Sequence, residues 1–487
     1  MILVIDVGTT GLRAALIGGD GRISDVEYRP FPPDSPFAGM VEFDAAAMSE
    51  AAIDAALSVL QAGGDPTVDA VGIASQRAST IVWERSSGTP LGPGIGWQDL
   101  RTIGECLTAK AEHGLALAPN QSATKIQWLL ANAASGREPG ELCVGTVDTW
   151  LAWNLAKGSV HVTDHTNAGV TGLYDLDGND WDLAACAALG IDPVLLPTIV
   201  DTAGEFGEAT ALPGAPPLAA LVGDQQGSLV GQGCVEPGMA KVTFGTGGML
   251  DLCTGTAKPA AAERSEHGTF PIVAWANGGE VTYGVEAIML SAGTNVEWLS
   301  DDLQLIDDPA DSHAVASRCA DSDGVVYVPA LMGLGTPRWD YGARGALLGL
   351  TRGSGREHVV RAVLEGIAHR GADLLEAANA DTGLDIHTVR VDGGMIANPT
   401  FLQALADATD LPIEVAPVAE STTIGAAFMA GLGVGIWDDI HELDDLWKPA
   451  RVVEPSPGHD HAGRRARWRD AVDRAAGWHP DLSALDF

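Results

Sequence analysis

Two short turns and two aspartates hold most of the chemistry this sequence can do. Gly8-Thr9-Thr10 and Gly245-Thr246-Gly247 each join glycine to threonine. Such a turn between two strands offers successive backbone N–H groups and a hydroxyl, and it can hold phosphate oxygens without basic side chains. Taken singly, either is an ordinary hairpin turn, because glycine is a default turn residue. The acidic residues beside them sharpen the reading. Asp6 closes the apolar run that leads into the first turn. A carboxylate there can hold Mg²⁺, usually through water, since Mg²⁺ gives up its hydration reluctantly. Asp224 lies in Val222-Gly223-Asp224-Gln225-Gln226, just after another apolar run. A carboxylate near a phosphate site can accept the proton of an attacking hydroxyl.

The elements that must position these residues follow from the pattern. Residues 2–5 predict a buried strand, 8–11 a turn, 12–17 a second strand and 18–21 a tight turn into a third. The same device recurs halfway along, with a strand over 239–244, a turn at 245–248 and a returning strand over 249–253. Two such units, one in each half, predict two related domains facing each other. Between them, 70–75 and 81–83 read as strands and 124–134 as a helix. Later, 389–391 forms a strand running into Asp392-Gly393-Gly394. A helix over 399–408 follows, with Asn398 as its N-cap and Pro399 at its first position. Residues 413–415 give another strand, and 421–431 a tightly packed helix of small residues. Residues 463–478 read as an Arg-rich, solvated surface helix. This alternation predicts an α/β fold, with sheets covered by helices. Pro237-Gly238 breaks regular structure. It divides the chain into domains at 1–235 and 239–437, followed by a helical tail at 438–487.

Composition narrows the function classes. A chain of 487 residues is too long for one core, which supports two domains. With 65 acidic and 28 basic residues, the net charge of −37 repels nucleic acid and anionic membranes. ATP on such a surface needs local help from metal, backbone amides or the rare Lys and Arg. No run is long and apolar enough for a membrane span. The opening MILVIDVGTT lacks the basic flank of a signal peptide, so a cytoplasmic protein is expected. Six scattered cysteines form no CxxC pair and read as buried free thiols.

In combination and in order, these segments resemble the FGGY carbohydrate kinases, within the wider actin-like ATPase superfamily, and most of all the glycerol kinase branch. DVGTTGLR at 6–13 looks like the first phosphate loop. SQRASTIVWE at 75–84 and WQDLRT at 97–102 look like substrate-loop segments, followed by GTVDTWLAW at 145–153 and HVTDHTNA at 161–168. GDQQGSLVGQ at 223–232 resembles the catalytic segment and KVTFGTG at 241–247 the second phosphate loop. GALLGLTRGSGREHVVRAVLEG at 345–366 resembles the family signature, and DGGMIAN at 392–398 the adenosine segment.

The resemblance implies a two-domain, actin-like (ribonuclease H-like) α/β fold with ATP in the interdomain cleft. It implies Asp224 as general base, with Asp6 and Asp224 at Mg²⁺. Thr9, Thr10, Gly11, Arg13, Gly245, Thr246 and Gly247 would meet the phosphates, and Gly394 and Asn398 the adenosine. Arg77, Ala78, Trp97, Asn120, Asp224, Gln225 and Met249 would line the pocket of a small polyol or sugar. Relatives commonly form dimers or tetramers, which makes a homo-oligomer an option.

Departures concentrate at the acceptor. Glycerol kinases carry Glu where this chain has Ala78, Tyr where it has Asn120, and Phe where it has Met249. In the first phosphate loop they carry Ser where it has Gly11. The reading is therefore ATP-dependent phosphorylation of a primary hydroxyl of a small polyol or ketose. A pentulose kinase of the xylulokinase type is an alternative, disfavoured because those enzymes usually show Met-His where Ser75-Gln76-Arg77 stands. A non-catalytic ATP-binding member of the superfamily is a third reading, against which the intact Asp6, Asp224 and both turns count.

Overall fold

The computed structural model describes residues 1–260, 264–418 and 420–484. The opening apolar run forms β1 (Ile2–Val7), every residue of which is buried. After the Gly/Thr turn come β2 (Gly11–Ile17) and β3 (Ile23–Pro30), both antiparallel to their predecessors. Helix α1 (Ala45–Ala62) leads to β4 (Ala70–Ser75), which returns parallel to β1. Two more strands, β5 (Ala203–Glu208) and β6 (Pro217–Gly223), extend this half.

The second half repeats the plan. β7 (Met239–Phe244), β8 (Gly248–Gly255), β9 (Phe270–Asn277) and β10 (Glu280–Met289) are followed by β11 (Thr388–Asp392), β12 (Ile413–Val415) and β13 (Arg451–Val453). All thirteen strands lie in one sheet, in the order β13-β12-β11-β7-β8-β10-β9-β5-β6-β4-β1-β2-β3. Within it, β3-β2-β1-β4-β6 and β10-β8-β7-β11-β12 have the same sequence of two antiparallel and two parallel pairings. That internal repeat is the two-domain actin-like α/β architecture the motifs predict. Among the described residues the halves meet in the sheet only through the Ala203–Asn277 pairing of β5 with β9.

Helices join the halves more firmly. α2 (Asp224–Gly231) follows β6, and α3 (Arg356–Thr382) and α4 (Pro399–Thr409) cover the second half. Asn398 caps α4, accepting from the amide of Phe401, with Pro399 in the first turn, as its sequence predicts. The small-residue helix α5 (Ser421–Gly433) buries Phe428 and Met429 against Ile2, Val4 and Val222 of the first half. It crosses α2 so closely that a Cβ on Gly425 would collide with the carbonyl of Gly227, and one on Gly231 with the carbonyl of Ser421. Glycine is required there by close approach of two backbones rather than by its dihedral freedom.

The C-terminal region differs from the solvated helix expected for it. Residues 451–453 form β13, at the sheet edge beside β12. α6 (His461–Ala475) buries Trp468, Ala471, Val472 and Ala475 against Val328 and Ala330. One of its arginines, Arg465, is fully buried and bonds Asp373 and Glu376 of α3. An Arg-rich helix reads as solvated because its countercharges come from a distant helix. No helix among the described residues is long and apolar enough to cross a membrane. All six cysteines are free thiols, and five are buried.

Candidate active site

The first turn is held from beneath by its own carbonyls. The amide of Gly8 donates to the carbonyl of Gly11, and the carbonyl of Thr10 accepts from Phe31. Gln76 Nε2 donates to the carbonyl of Gly8 at 3.3 Å. The amides of Thr9 and Thr10 have no acceptor among the described residues. The second turn is built alike. The carbonyls of Gly245 and Thr246 accept from Gly293 and Ala292, and the amides of Thr246 and Gly247 have no acceptor among the described residues. Both turns thus use up acceptors and leave donors, which is what a polyanion requires.

Gly11 has a structural reason of its own. The phenol of Tyr28, on β3, lies where a side chain at position 11 would project. Tyr28 stands opposite Arg13, whose guanidinium lies 5.9 Å from the ring centre. Arg13 in turn faces Asp6 across β1 and β2, at 3.2 Å. Thr423 of α5 donates to the same Asp6 oxygen at 3.3 Å. Burial raises the Asp6 pKa to about 6; Arg13 pulls it down and Asp224 adds to the rise.

Asp224 opens α2, where the helix dipole favours a carboxylate. Its Oδ1 accepts from the amide of Gln225 at 2.8 Å and lies 3.5 Å from Arg77 Nε, while Oδ2 has no partner among the described residues. Thr422 of α5 donates to the Asp224 carbonyl, so neighbouring residues of one helix hold both aspartates. Burial raises the pKa of Asp224, opposed by Arg77 and Lys241.

Arg77 ties the pocket across the two halves. Its Nη2 donates to Glu286 on β10 at 2.6 Å and lies 3.5 Å from Met249 Sδ on β8. Burial works against its charge, but Glu286, Asp224 and Asp251 more than compensate, and its pKa rises. Nη1 is buried with no partner among the described residues. Ala78 is buried with φ at +61°, and its carbonyl accepts from Thr80 and Ser122. A non-glycine residue in that region is a local strain of the kind stored at functional sites. Trp97 donates from Nε1 to Thr9 Oγ1 at 3.1 Å.

The structure therefore brings together Asp6, Thr9, Arg13, Arg77, Trp97, Asp224, Gln225 and Met249. Gly393 presses against the backbone of Phe244, beside the second turn, and Gly394 next to it faces open space. Asn398 uses its side chain otherwise, with Oδ1 capping α4 and Nδ2 donating to Ser312. Asn120 is exposed and its side chain bonds nothing among the described residues. Four contributors escape the sequence reading: Glu286, Asp251, Thr422 and Thr423. A charge inside an apolar strand, such as Asp251 in Met249-Leu250-Asp251-Leu252, is the one signal that could have raised suspicion.

Among the described residues no group of three or more His, Cys, Asp or Glu forms a metal cluster. The donors that are present still suit Mg²⁺. Asp6 Oδ1 and Asp224 Oδ2 are partner-free carboxylate oxygens among the described residues, and hard oxygen donors few in number are what Mg²⁺ takes beside substrate phosphates.

Comparison with known proteins shows the family of the chain. Residues 1–231 match the N-terminal domain of the FGGY family of carbohydrate kinases, and residues 240–434 its C-terminal domain. Glycerol kinase of Aromatoleum aromaticum is 41% identical, over 98% of this chain and 99% of its own. A crystal structure of Plasmodium falciparum glycerol kinase with ADP superposes with a TM-score of 0.90 at 30% identity, over 98% of both chains. A xylulose kinase from Brucella ovis shares the fold, with a TM-score of 0.84 at 24% identity over 99% of both chains.

Proposed function

The chain belongs to the FGGY family of carbohydrate kinases, and from that premise we propose that it transfers the γ-phosphoryl group of ATP to a primary hydroxyl of a small polyol or ketose. The observation that carries the assignment of roles is the setting of Asp224. Its Oδ2 has no partner among the described residues, its Oδ1 is held by Gln225 and Arg77, and its charge adds to the rise in the pKa of the neighbouring Asp6.

Asp224 Oδ2 accepts the proton of the acceptor hydroxyl as that oxygen attacks the γ-phosphorus in line. ADP leaves, and no covalent enzyme intermediate is needed. Free amides of the Gly8–Thr10 and Gly245–Gly247 turns hold the phosphate oxygens, and Arg13 balances charge on the transferring group. Asp6 and Asp224 would hold Mg²⁺, which neutralises phosphate charge when bound. Adenosine rests against Gly394, where open space adjoins the second turn. Arg77, Trp97, Gln225 and Met249 line the acceptor pocket. Dependence on ATP favours a cytoplasmic setting.

The pocket favours an acceptor longer than glycerol. Ala78 offers no carboxylate to substrate hydroxyls, and Met249 adapts to shape rather than enforcing it. A coupled ADP-release assay across polyols, ketoses and sugar acids tests the proposal. ADP formation that depends on an added polyol or ketose supports it. ATP binding with no acceptor-dependent turnover would favour a non-catalytic ATP switch instead.

A further inference from the structure

A row of basic and acidic side chains crosses three strands behind the acceptor pocket. Lys241 on β7 is paired with Asp251 on β8, and Asp251 with Glu286 on β10. Lys241 and Asp251 are fully buried, with Nζ 2.7 Å from Asp251 Oδ2. Burying a charge pair is expensive and is often no more stable than apolar residues of the same volume. Its presence beside the pocket therefore calls for a role other than stability.

The two ends of the row show where that role lies. At one end Glu286 holds the Arg77 guanidinium. At the other, Lys241 Nζ donates to Gln225 Oε1 at 2.6 Å, and to Thr243 Oγ1 at 3.2 Å. Asp251 stands beside the ammonium as an ion-pair contact, while neither of its oxygens accepts a hydrogen bond among the described residues, so the directed bonds of Lys241 are those to Gln225 and Thr243. Both Arg77 and Gln225 meet Asp224 Oδ1, Arg77 through its guanidinium and Gln225 through its backbone amide.

An ammonium only donates, so the Gln225 atom facing it must be the carbonyl oxygen. The amide cannot turn over without placing its NH₂ against Lys241 and losing a charge-assisted bond. Nε2 is left with no partner among the described residues and is not enclosed. The geometry points to the Lys241–Asp251 ion pair as a positioning device that locks the Gln225 amide with its NH₂ group toward the acceptor. The acceptor must then present an oxygen lone pair at that point, as a hydroxyl or carbonyl does and an ammonium group does not. This rests on the placement of Gln225 in the acceptor pocket proposed above.

Two variants test it, assayed with the best acceptor from the panel. Lys241→Met with Asp251→Leu removes both charges together and leaves no lone buried ion. Gln225→Glu keeps a partner for Lys241 but replaces the outward donor with an acceptor. The expected result for the double variant is an acceptor KM raised about three- to tenfold, the worth of one hydrogen bond, with the KM for ATP within about twofold. Gln225→Glu should raise the acceptor KM by about tenfold or more, since it sets lone pair against lone pair. An acceptor KM close to that of the parent protein in either folded variant overturns the proposal. Loss of site identity is read separately: if Asp224→Asn leaves turnover intact, the pocket itself is misplaced, whatever the two variants do.

Discussion

The indole N–H of Trp97 donates to the hydroxyl of Thr9 at 3.1 Å. This bond joins a loop assigned to the acceptor with a turn assigned to the phosphates. The peptide N–H of Trp97 is itself held by Ser79 Oγ, and Ser79 donates to Gln76, which bonds the carbonyl of Gly8. The two sites therefore share one hydrogen-bonded support.

Trp97→Phe keeps the ring and removes only the donor. It should lower kcat/KM for both the acceptor and ATP by about three- to tenfold, the worth of a single hydrogen bond. Steady-state kinetics with each substrate varied in turn will check this. An effect on the acceptor alone would mean that the bond does not link the sites.

Gly425→Ala places a methyl group against the carbonyl of Gly227, where α5 crosses α2. Overpacking of this kind costs about 1–3 kcal/mol, and here it must also shift the helix that begins with Asp224. The variant should unfold at lower temperature and lose turnover, measured by calorimetry and ADP release. Unchanged stability would show that the crossing has slack.

Lys125 supplies a pH test. It is fully buried, and its Nζ donates only to the carbonyl of Trp97 among the described residues. Burial lowers its pKa to about 7, against a partial rise from Asp99. In the unfolded chain it titrates near 10.5. Between those values the unfolded state holds one more proton, so this residue's contribution to stability rises with pH, at about 1.4 kcal/mol per unit. The penalty is fully present below about pH 7 and relieved as pH climbs toward 10.5. Lys125→Met should therefore stabilise the protein most below pH 7, and the gain should shrink above it. Denaturant titrations of both proteins at several pH values give the difference. A gain that does not vary with pH would place the ammonium elsewhere.

Much of this was legible in the residues. The runs at 2–5 and 239–244 had to be buried strands, and the Gly/Thr turns after them had to reverse the chain. The cap at Asn398 and the small residues of α5 also declared themselves locally. The row Lys241–Asp251–Glu286 did not, because alternation along a strand does not say which face meets a distant partner. Thr422 and Thr423 were silent for a similar reason. Their contacts, Asp224 and Asp6, lie 198 and 417 residues away in sequence. Asn120, a pocket residue only by resemblance, is exposed, and its loop was not legible because a loop's path is not set by its neighbours in sequence.

The acceptor pocket predicts an order of substrates. A site that has lost a fixed hydroxyl partner loses selectivity for the compound that used it. Erythritol, pentitols, erythrulose or a pentulose should therefore exceed glycerol in kcat/KM. If glycerol surpasses every longer acceptor by about tenfold or more, then nearby loops have refilled the space beside Ala78.

The central claim is that Asp224 Oδ2 takes the proton of the acceptor hydroxyl. Asp224→Asn keeps the side chain's size and removes the base. Turnover with the best acceptor should fall by about 10²–10⁴, while ATP binding, followed by calorimetric titration, stays largely intact. Near-normal turnover in this variant would contradict the account.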